Sequence, residues 1–217
     1  MQSREPTLYL TQSLLNSWLY FINSDDEFAD KAYSGFLSAL RRETIEPTKQ
    51  MLDGMAFEEA INATLRGETP SVPNEKWAKA VRRFSSICAG GQPQTPVAGV
   101  LDVGDLRIGV YGFCDYVKQG VIYDIKKVTH YDYGKYFGSP QHPMYMRLLK
   151  EAKKFVYLIF DGTTTYMETY RPGDFEPIEQ ITERFITWLR ETGHFDEYKK
   201  YWSMTEERKN RIYELQF

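Results

Sequence analysis

The chain has 217 residues, 42% hydrophobic and 15% aromatic, which suffices for a sizeable core in one domain of ordinary size. No stretch approaches the roughly 20 apolar residues of a membrane span, and two cysteines, Cys88 and Cys114, without cysteine neighbours, speak against a disulfide scaffold or a zinc or iron–sulfur centre. A net charge of −3 does not advertise a nucleic-acid binder, so any phosphate contact has to come from a local basic patch.

In chain order, residues 8–21 read as a helix opened by Thr11, with Leu14, Leu15 and Trp18 on its apolar stripe. Residues 22–35 are polar and read as loop or short helix. A long helix is expected from about 45 to 66, closed by Gly67, then a helix over 74–88 and a breaker at 90–93. The pattern then turns to strands over Val97 to Val103, Leu106 to Lys118 and Val121 to Val128. Gly104-Asp105 and Gln119-Gly120 punctuate them as hairpin turns, giving an antiparallel meander. A helix over 139–152 follows, then strands Phe155 to Phe160 and Thr163 to Tyr170 around Asp161-Gly162. An amphipathic helix over 174–192 and two short helices end the chain. This order implies an α/β (α+β) domain over 1–217: a helical N-terminal part (1–90), a sheet core (94–170) and C-terminal helices (174–217). A mixed central sheet should be flanked by helices.

The chemistry gathers in the meander. Asp124 and Lys126 stand two apart on one strand and so share a face. With a turn at Gln119-Gly120, Asp115 lies near Asp124 across a ladder whose strands are about 4.8 Å apart. Two carboxylates can hold a hard cation such as Mg²⁺ while it keeps its waters, and the cation activates water and neutralises phosphate charge. A lysine beside it can orient water or stabilise the transition state. The apolar neighbours Ile122, Tyr123, Ile125 and Val128 argue for a cleft rather than a solvated face. Gln141 and Tyr145 are four apart on the next helix and share a face, where an amide and a phenol can hold a phosphate oxygen or orient the lysine. Basic residues thicken from Lys126 to Lys154, whereas the charges around Arg208 to Arg211 read as a solvated helix face.

This ordered set resembles the RecB-like nucleases of the PD-(D/E)XK superfamily over residues 8 to about 170. Gly112 to Asp115 matches Gly-X-X-Asp, Asp124 to Lys126 matches Asp/Glu-X-Lys, and Gln141 to Tyr145 matches Gln-X-X-X-Tyr. Leu10 to Trp18 is similar to the family's opening helix. The resemblance implies a restriction-endonuclease-like core and a Mg²⁺- or Mn²⁺-dependent deoxyribonuclease, with an exonuclease role in recombination, repair or phage DNA processing. It implies metal ligation by Asp115, Asp124, a helical acid and the carbonyl of Ile125, with Lys126 catalytic and Gln141 and Tyr145 positioning substrate. The helical position, often histidine in the family, falls at Glu58 or Glu59. Helix phase favours Glu58, at the edge of the stripe formed by Phe57, Ala60, Ile61 and Leu65. Without the cysteine set, no iron–sulfur cluster is expected; without a phosphate loop, no motor.

Lys135 and Tyr136 are candidate contacts to the DNA backbone. The run Tyr131, Tyr133, Tyr136 either stacks unpaired bases or packs the sheet edge. His130, His142 and His194 lack ligand spacing, although His142 beside Gln141 is a candidate substrate contact. Expected partners are DNA and a single-strand annealing protein or helicase. The expected location is cytoplasmic, the host's cytoplasm if the chain is phage-encoded, since the first thirty residues lack signal-peptide order. The rival reading is a catalytically inactive nucleic-acid-binding or protein-interaction module on the same fold.

Overall fold

A computed structural model describes residues 5–216. The opening segment departs from the expected helix: Leu8–Leu10 form strand β1, and only then does Thr11 cap α1 (Gln12–Ile22), its hydroxyl accepting from Leu14 N at 3.4 Å. Three consecutive buried residues show no period, so the strand could not be told from the helix it precedes. The polar run after it belongs to a full helix, α2 (Asp26–Leu40), which buries only Ala32, Phe36 and Leu40; so sparse a stripe resembles a loop. Helix α3 (Lys49–Leu65) starts behind Thr48 rather than near 45, and α4 (Glu75–Cys88) behind Asn74, whose side chain accepts from Trp77 N at 3.1 Å. Gly67, just past α3, is left-handed at φ 80°, as a helix stop requires.

The sheet has strands β2 (Gln92–Val103), β3 (Leu106–Lys118), β4 (Val121–Lys127), β5 (Lys154–Phe160) and β6 (Thr165–Tyr170) beside β1. Its order is β1-β3-β4-β5-β6, with β2 along the opposite side of β3. Strand β2 starts earlier than its sequence suggests because, on an edge, Pro93 and Pro96 need donate nothing inward. The β3–β4 turn has Gln119 and Gly120 both left-handed, at φ 51° and 77°, which suits a two-residue hairpin. Strands β4 and β5 run parallel and are connected through α5 (Gln141–Leu148). Strand β5 is an almost wholly buried apolar run, as a strand covered on both faces should be.

Two apolar clusters cover the two faces. The larger gathers Leu14, Trp18, Phe36, Ile122, Tyr157 and Phe185 from the sheet, α1, α2 and α6 (Ile178–Glu191). The smaller packs Phe57, Ala60, Ile61, Trp77 and Phe84 of α3 and α4 on Tyr116, Ile125, Val156, Leu158 and Phe160. Helices α7 (Phe195–Trp202) and α8 (Glu206–Gln216) follow. The architecture is therefore a six-stranded mixed sheet flanked by helices. Among the described residues no helix is long and apolar enough to cross a membrane.

Candidate active site

The β3–β4 ladder pairs Lys118 with Val121, Val117 with Ile122 and Tyr116 with Tyr123, and then stops. The next pair would set Asp115 opposite Asp124. The strands part there instead, and farther back along β3 strand β1 takes the place beside it at Ile108 to Val110. The β2–β3 ribbon also turns at this point: Ile108, Val110 and Cys114 pack in the larger cluster, while Tyr116, of the same strand parity, packs in the smaller. At the fork, the Asp115 carboxylate substitutes for a ladder carbonyl, its Oδ2 accepting from Ile125 N at 2.8 Å.

Asp124 lies on the β4 face that looks toward α5 and is 2% exposed. Its Oδ1 accepts from Gln141 Nε2 at 2.5 Å. Its Oδ2 meets Lys126 Nζ in an ion pair at 2.7 Å. Lys126 Nζ also stands 5.8 Å from the ring centre of Tyr157, the register partner of Asp124 on β5. Glu58, half-buried on α3, approaches from the helical side, and its Oε1 accepts from Gln94 Nε2 at 2.7 Å. Glu59 is exposed and ion-paired with Arg66 at 2.8 Å, so helix phase separates the two glutamates as expected.

The electrostatics record the crowding. Burial, then the charges of Asp124 and Glu58, hold the Asp115 carboxyl well above the usual range, against the Ile125 N–H and Lys126. Burial and then Asp124 raise Glu58, while Lys126 and Gln94 pull it down. For Lys126 burial is the largest influence and lowers the pKa. The Asp124 contact and the charges of Asp115 and Glu58 together outweigh it, so the ammonium is held above its ordinary value. One lysine thus faces three carboxylates that repel one another.

Among the described residues no three His, Cys, Asp or Glu side chains close on a common point, and Lys126 Nζ takes the position against Asp124 Oδ2. The donor set still fits a hard divalent cation. Mg²⁺ is held by one or two carboxylates while keeping several waters. Among the described residues Asp124 Oδ2 is a buried carboxylate oxygen met by the Lys126 ammonium alone, and the raised carboxyls at Asp115 and Glu58 are what an added positive charge would relieve.

Tyr145 is buried and covers Gly112: a Cβ at that glycine would meet the ring at 2.7–2.9 Å, which is why the strand carries glycine there. Ile125 places its side chain in the smaller cluster and its N–H on Asp115. Lys135 is exposed and turns back on its own loop, Nζ donating to His130 O at 2.9 Å. Tyr136 stacks on Tyr157 at 4.4 Å and gives its N–H to the buried Glu168, so it belongs to the aromatic floor behind Lys126. Tyr131 joins that packing and also donates to Glu168, at 2.6 Å, whereas Tyr133 is 90% exposed. His142 is fully buried and stacked on Tyr170 at 4.0 Å, and burial lowers its pKa to about 3, so it is a neutral core residue rather than a substrate contact. Both cysteines are free and buried, and burial pushes their thiols up to about 12. Sequence reasoning missed Gln94, which sits at φ 45° just past what reads as a breaker, and Tyr157, hidden in the apolar run of β5. A pocket of about 420 Å³ adjoins the site through Gln94 and Tyr116, but the carboxylates do not line it.

No family model matches this sequence, nor does any curated protein. Among solved structures, the crystal structure of SSO0001 is similar in fold, with a TM-score of 0.51 and 13% sequence identity, over 86% of this chain and 79% of that one.

Proposed function

We propose that this chain is a metal-dependent deoxyribonuclease of the RecB-like type, an exonuclease serving recombination, repair or phage DNA processing. The observation that supports it most is that Asp115, Asp124 with its lysine, and Glu58, from two adjacent strands and a helix, stand close enough around one strand fork to shift one another's charge. Asp115, Asp124 and Glu58 would hold Mg²⁺ or Mn²⁺, with the Ile125 carbonyl as the resemblance implies. When bound, such an ion supplies activated water and neutralises phosphate charge.

The chain's own groups divide the remaining work. Gln141 fixes the Asp124 carboxylate through Oδ1 and leaves Oδ2 directed at Lys126. Asp124 keeps Lys126 charged, so the ammonium can stabilise the charge that develops on a phosphoryl oxygen. Gln94 orients Glu58. Tyr145 seals the strand beneath Asp115 by filling the space over Gly112. DNA is the substrate of this reading, and a single-strand annealing protein or helicase would deliver the ends, in the cytoplasm of the cell or of a phage host.

The test is degradation of end-labelled linear DNA, single- and double-stranded, in Mg²⁺, Mn²⁺ or EDTA, alongside Asp124→Ala and Lys126→Ala. Metal-dependent loss of label that disappears in both variants supports the reading. Folded protein that is inert with every metal refutes it and leaves a binding module.

A further inference from the structure

The strand that carries Asp115 leads away from the site along a line of rings and guanidinium groups. Tyr111, Phe113 and Asp115 alternate onto one face of β3. Phe113 is 46% exposed and meets Tyr111 edge-on at 5.9 Å. Tyr111 stacks on Tyr9 at 5.4 Å, and Tyr9 on Trp202 at 5.7 Å. An arginine caps each of the last three rings: Arg211 over Tyr111 at 5.4 Å, Arg208 over Tyr9 at 5.1 Å and Arg42 over Trp202 at 4.7 Å. Arg208 and Arg211, which read in the sequence as a solvated helix face, are laid on this column.

Two of these cations lack a counter-charge. Among the described residues Arg211 is ion-paired with Glu207, but neither Arg42 nor Arg208 has a carboxylate at ion-pair distance. Arg42 nevertheless lies close enough to feel Arg208: burial, followed by that charge, holds Arg42 below its ordinary pKa. Arg42 is also strained. It sits just past the end of α2 at φ 58°, where glycine is the unstrained choice, yet a long cationic side chain is kept there.

Arg42 and Trp202 line a groove of about 750 Å³, with Thr11 and Gln12 at the start of α1 and Met51 on α3; Glu43 is the one acid among its lining residues. Met51, Met55 and Glu58 recur at i, i+4 and i+7, so one face of α3 runs from this groove to the site. Seven helical residues cover about 10 Å. The path along β3 and its rings is on the order of 20 Å. Two independent elements therefore join the same groove to the same carboxylates.

We propose that this groove, with Arg42 in its wall and Arg208 beside it over Tyr9, where one guanidinium N–H already donates to Ser203 O at 2.7 Å, holds the phosphodiester backbone of a DNA single strand a few nucleotides from the scissile bond. At about 3.4 Å per stacked nucleotide, the separation corresponds to about three to six nucleotides. The exposed Phe113 ring beside Asp115 offers a stacking surface for one intervening base. The proposal rests on the nuclease reading for its substrate, and binding tests it apart from cleavage.

A fluorescein-labelled 12-nucleotide oligothymidylate is titrated with protein in EDTA across a salt series, using wild type, Arg42→Gly, Arg208→Ala and the double variant. Arg42→Gly is the informative change, because glycine relieves the left-handed backbone while deleting the guanidinium. Its Tm should equal or exceed that of wild type while affinity falls roughly tenfold. The slope of log affinity against log salt should become shallower by about 0.7 per lost contact. Equal affinity and slope in wild type and the double variant would overturn the inference, even if the protein cleaves DNA. Failure of wild type to bind the oligonucleotide would overturn it too. Arginine-dependent binding by a protein that cleaves nothing with Mg²⁺ or Mn²⁺ would uphold the groove and reject the nuclease.

Discussion

Replacing Asp115 with asparagine should stabilise the metal-free protein. The carboxylate is half-buried and feels the charge of Asp124 across the fork, so at about 5–7 Å and an effective dielectric near 20 their repulsion is about 2–3 kcal/mol. Asparagine removes that repulsion and the cost of burying the charge, while its amide oxygen can still accept from Ile125 N. Weakening that hydrogen bond and losing the pull of Lys126 returns about 1–2 kcal/mol. The net gain is about 1–2 kcal/mol, or about 2–8 °C in Tm for a chain of this size. The pH dependence has a definite sign. The folded-state pKa of Asp115 is raised, so the stability gained on protonation is fully present below the ordinary carboxylate range and is lost as pH rises through the raised value. The asparagine side chain mimics the protonated carboxyl, so the difference between variant and wild type should grow as pH rises through the raised value and vanish in acid. Saturating Mg²⁺ should reverse the order: at about 100 times its dissociation constant the ion adds about 2.7 kcal/mol to wild type and little to the variant. Thermal unfolding of wild type and Asp115→Asn in EDTA and in Mg²⁺, from pH 4 to 8, reads all of this. A variant less stable than wild type in EDTA at pH 7, or an equal Mg²⁺ gain in both proteins, would refute the reasoning.

Lys126→Ala leaves the buried Asp124 carboxylate without its cation and should cost about 3–5 kcal/mol in denaturant unfolding as well as abolishing cleavage; a loss below about 1 kcal/mol would show that the pair is not what holds Asp124. Gly112→Ala forces a Cβ against the Tyr145 ring, at an expected cost of about 1–3 kcal/mol. Adding Tyr145→Ala should then cost less than the two single effects together, and strict additivity in the double-mutant cycle would contradict the contact. Glu58→Gln should remove most of the Mg²⁺-dependent rise in Tm, whereas Glu59→Gln, which touches only an exposed pair with Arg66, should stay within about 0.5 kcal/mol of wild type and keep that rise. The reverse assignment would move the helical ligand to Glu59.

Local sequence was enough wherever the signal is a period or a turn. Asp124 and Lys126 share a face because strand alternation leaves no other outcome. The Gln119-Gly120 turn fixes the register that brings Asp115 toward Asp124, and helix phase turns Glu58 inward and Glu59 outward. The stripes of α4 and α6 and the buried run of β5 announce a sheet covered on both faces. What depended on distant partners was not legible. Leu8–Leu10 is a strand only because β3 offers a free edge about a hundred residues away. Lys135 and Tyr136 looked alike as basic and aromatic neighbours, yet one turns back on its own loop and the other packs behind the lysine, according to where Tyr157 and Glu168 stand. Gln94 reaches Glu58 and the arginines of α8 lie on Tyr9 and Tyr111 through contacts that no local window contains. Above all, the fork itself is tertiary. Sequence spacing pairs Asp115 with Asp124 in a continuous ladder, but in the fold β1 takes Ile108 to Val110 and β4 takes Tyr116 to Lys118, and in the gap between them the two carboxylates feel the charge of a third from α3.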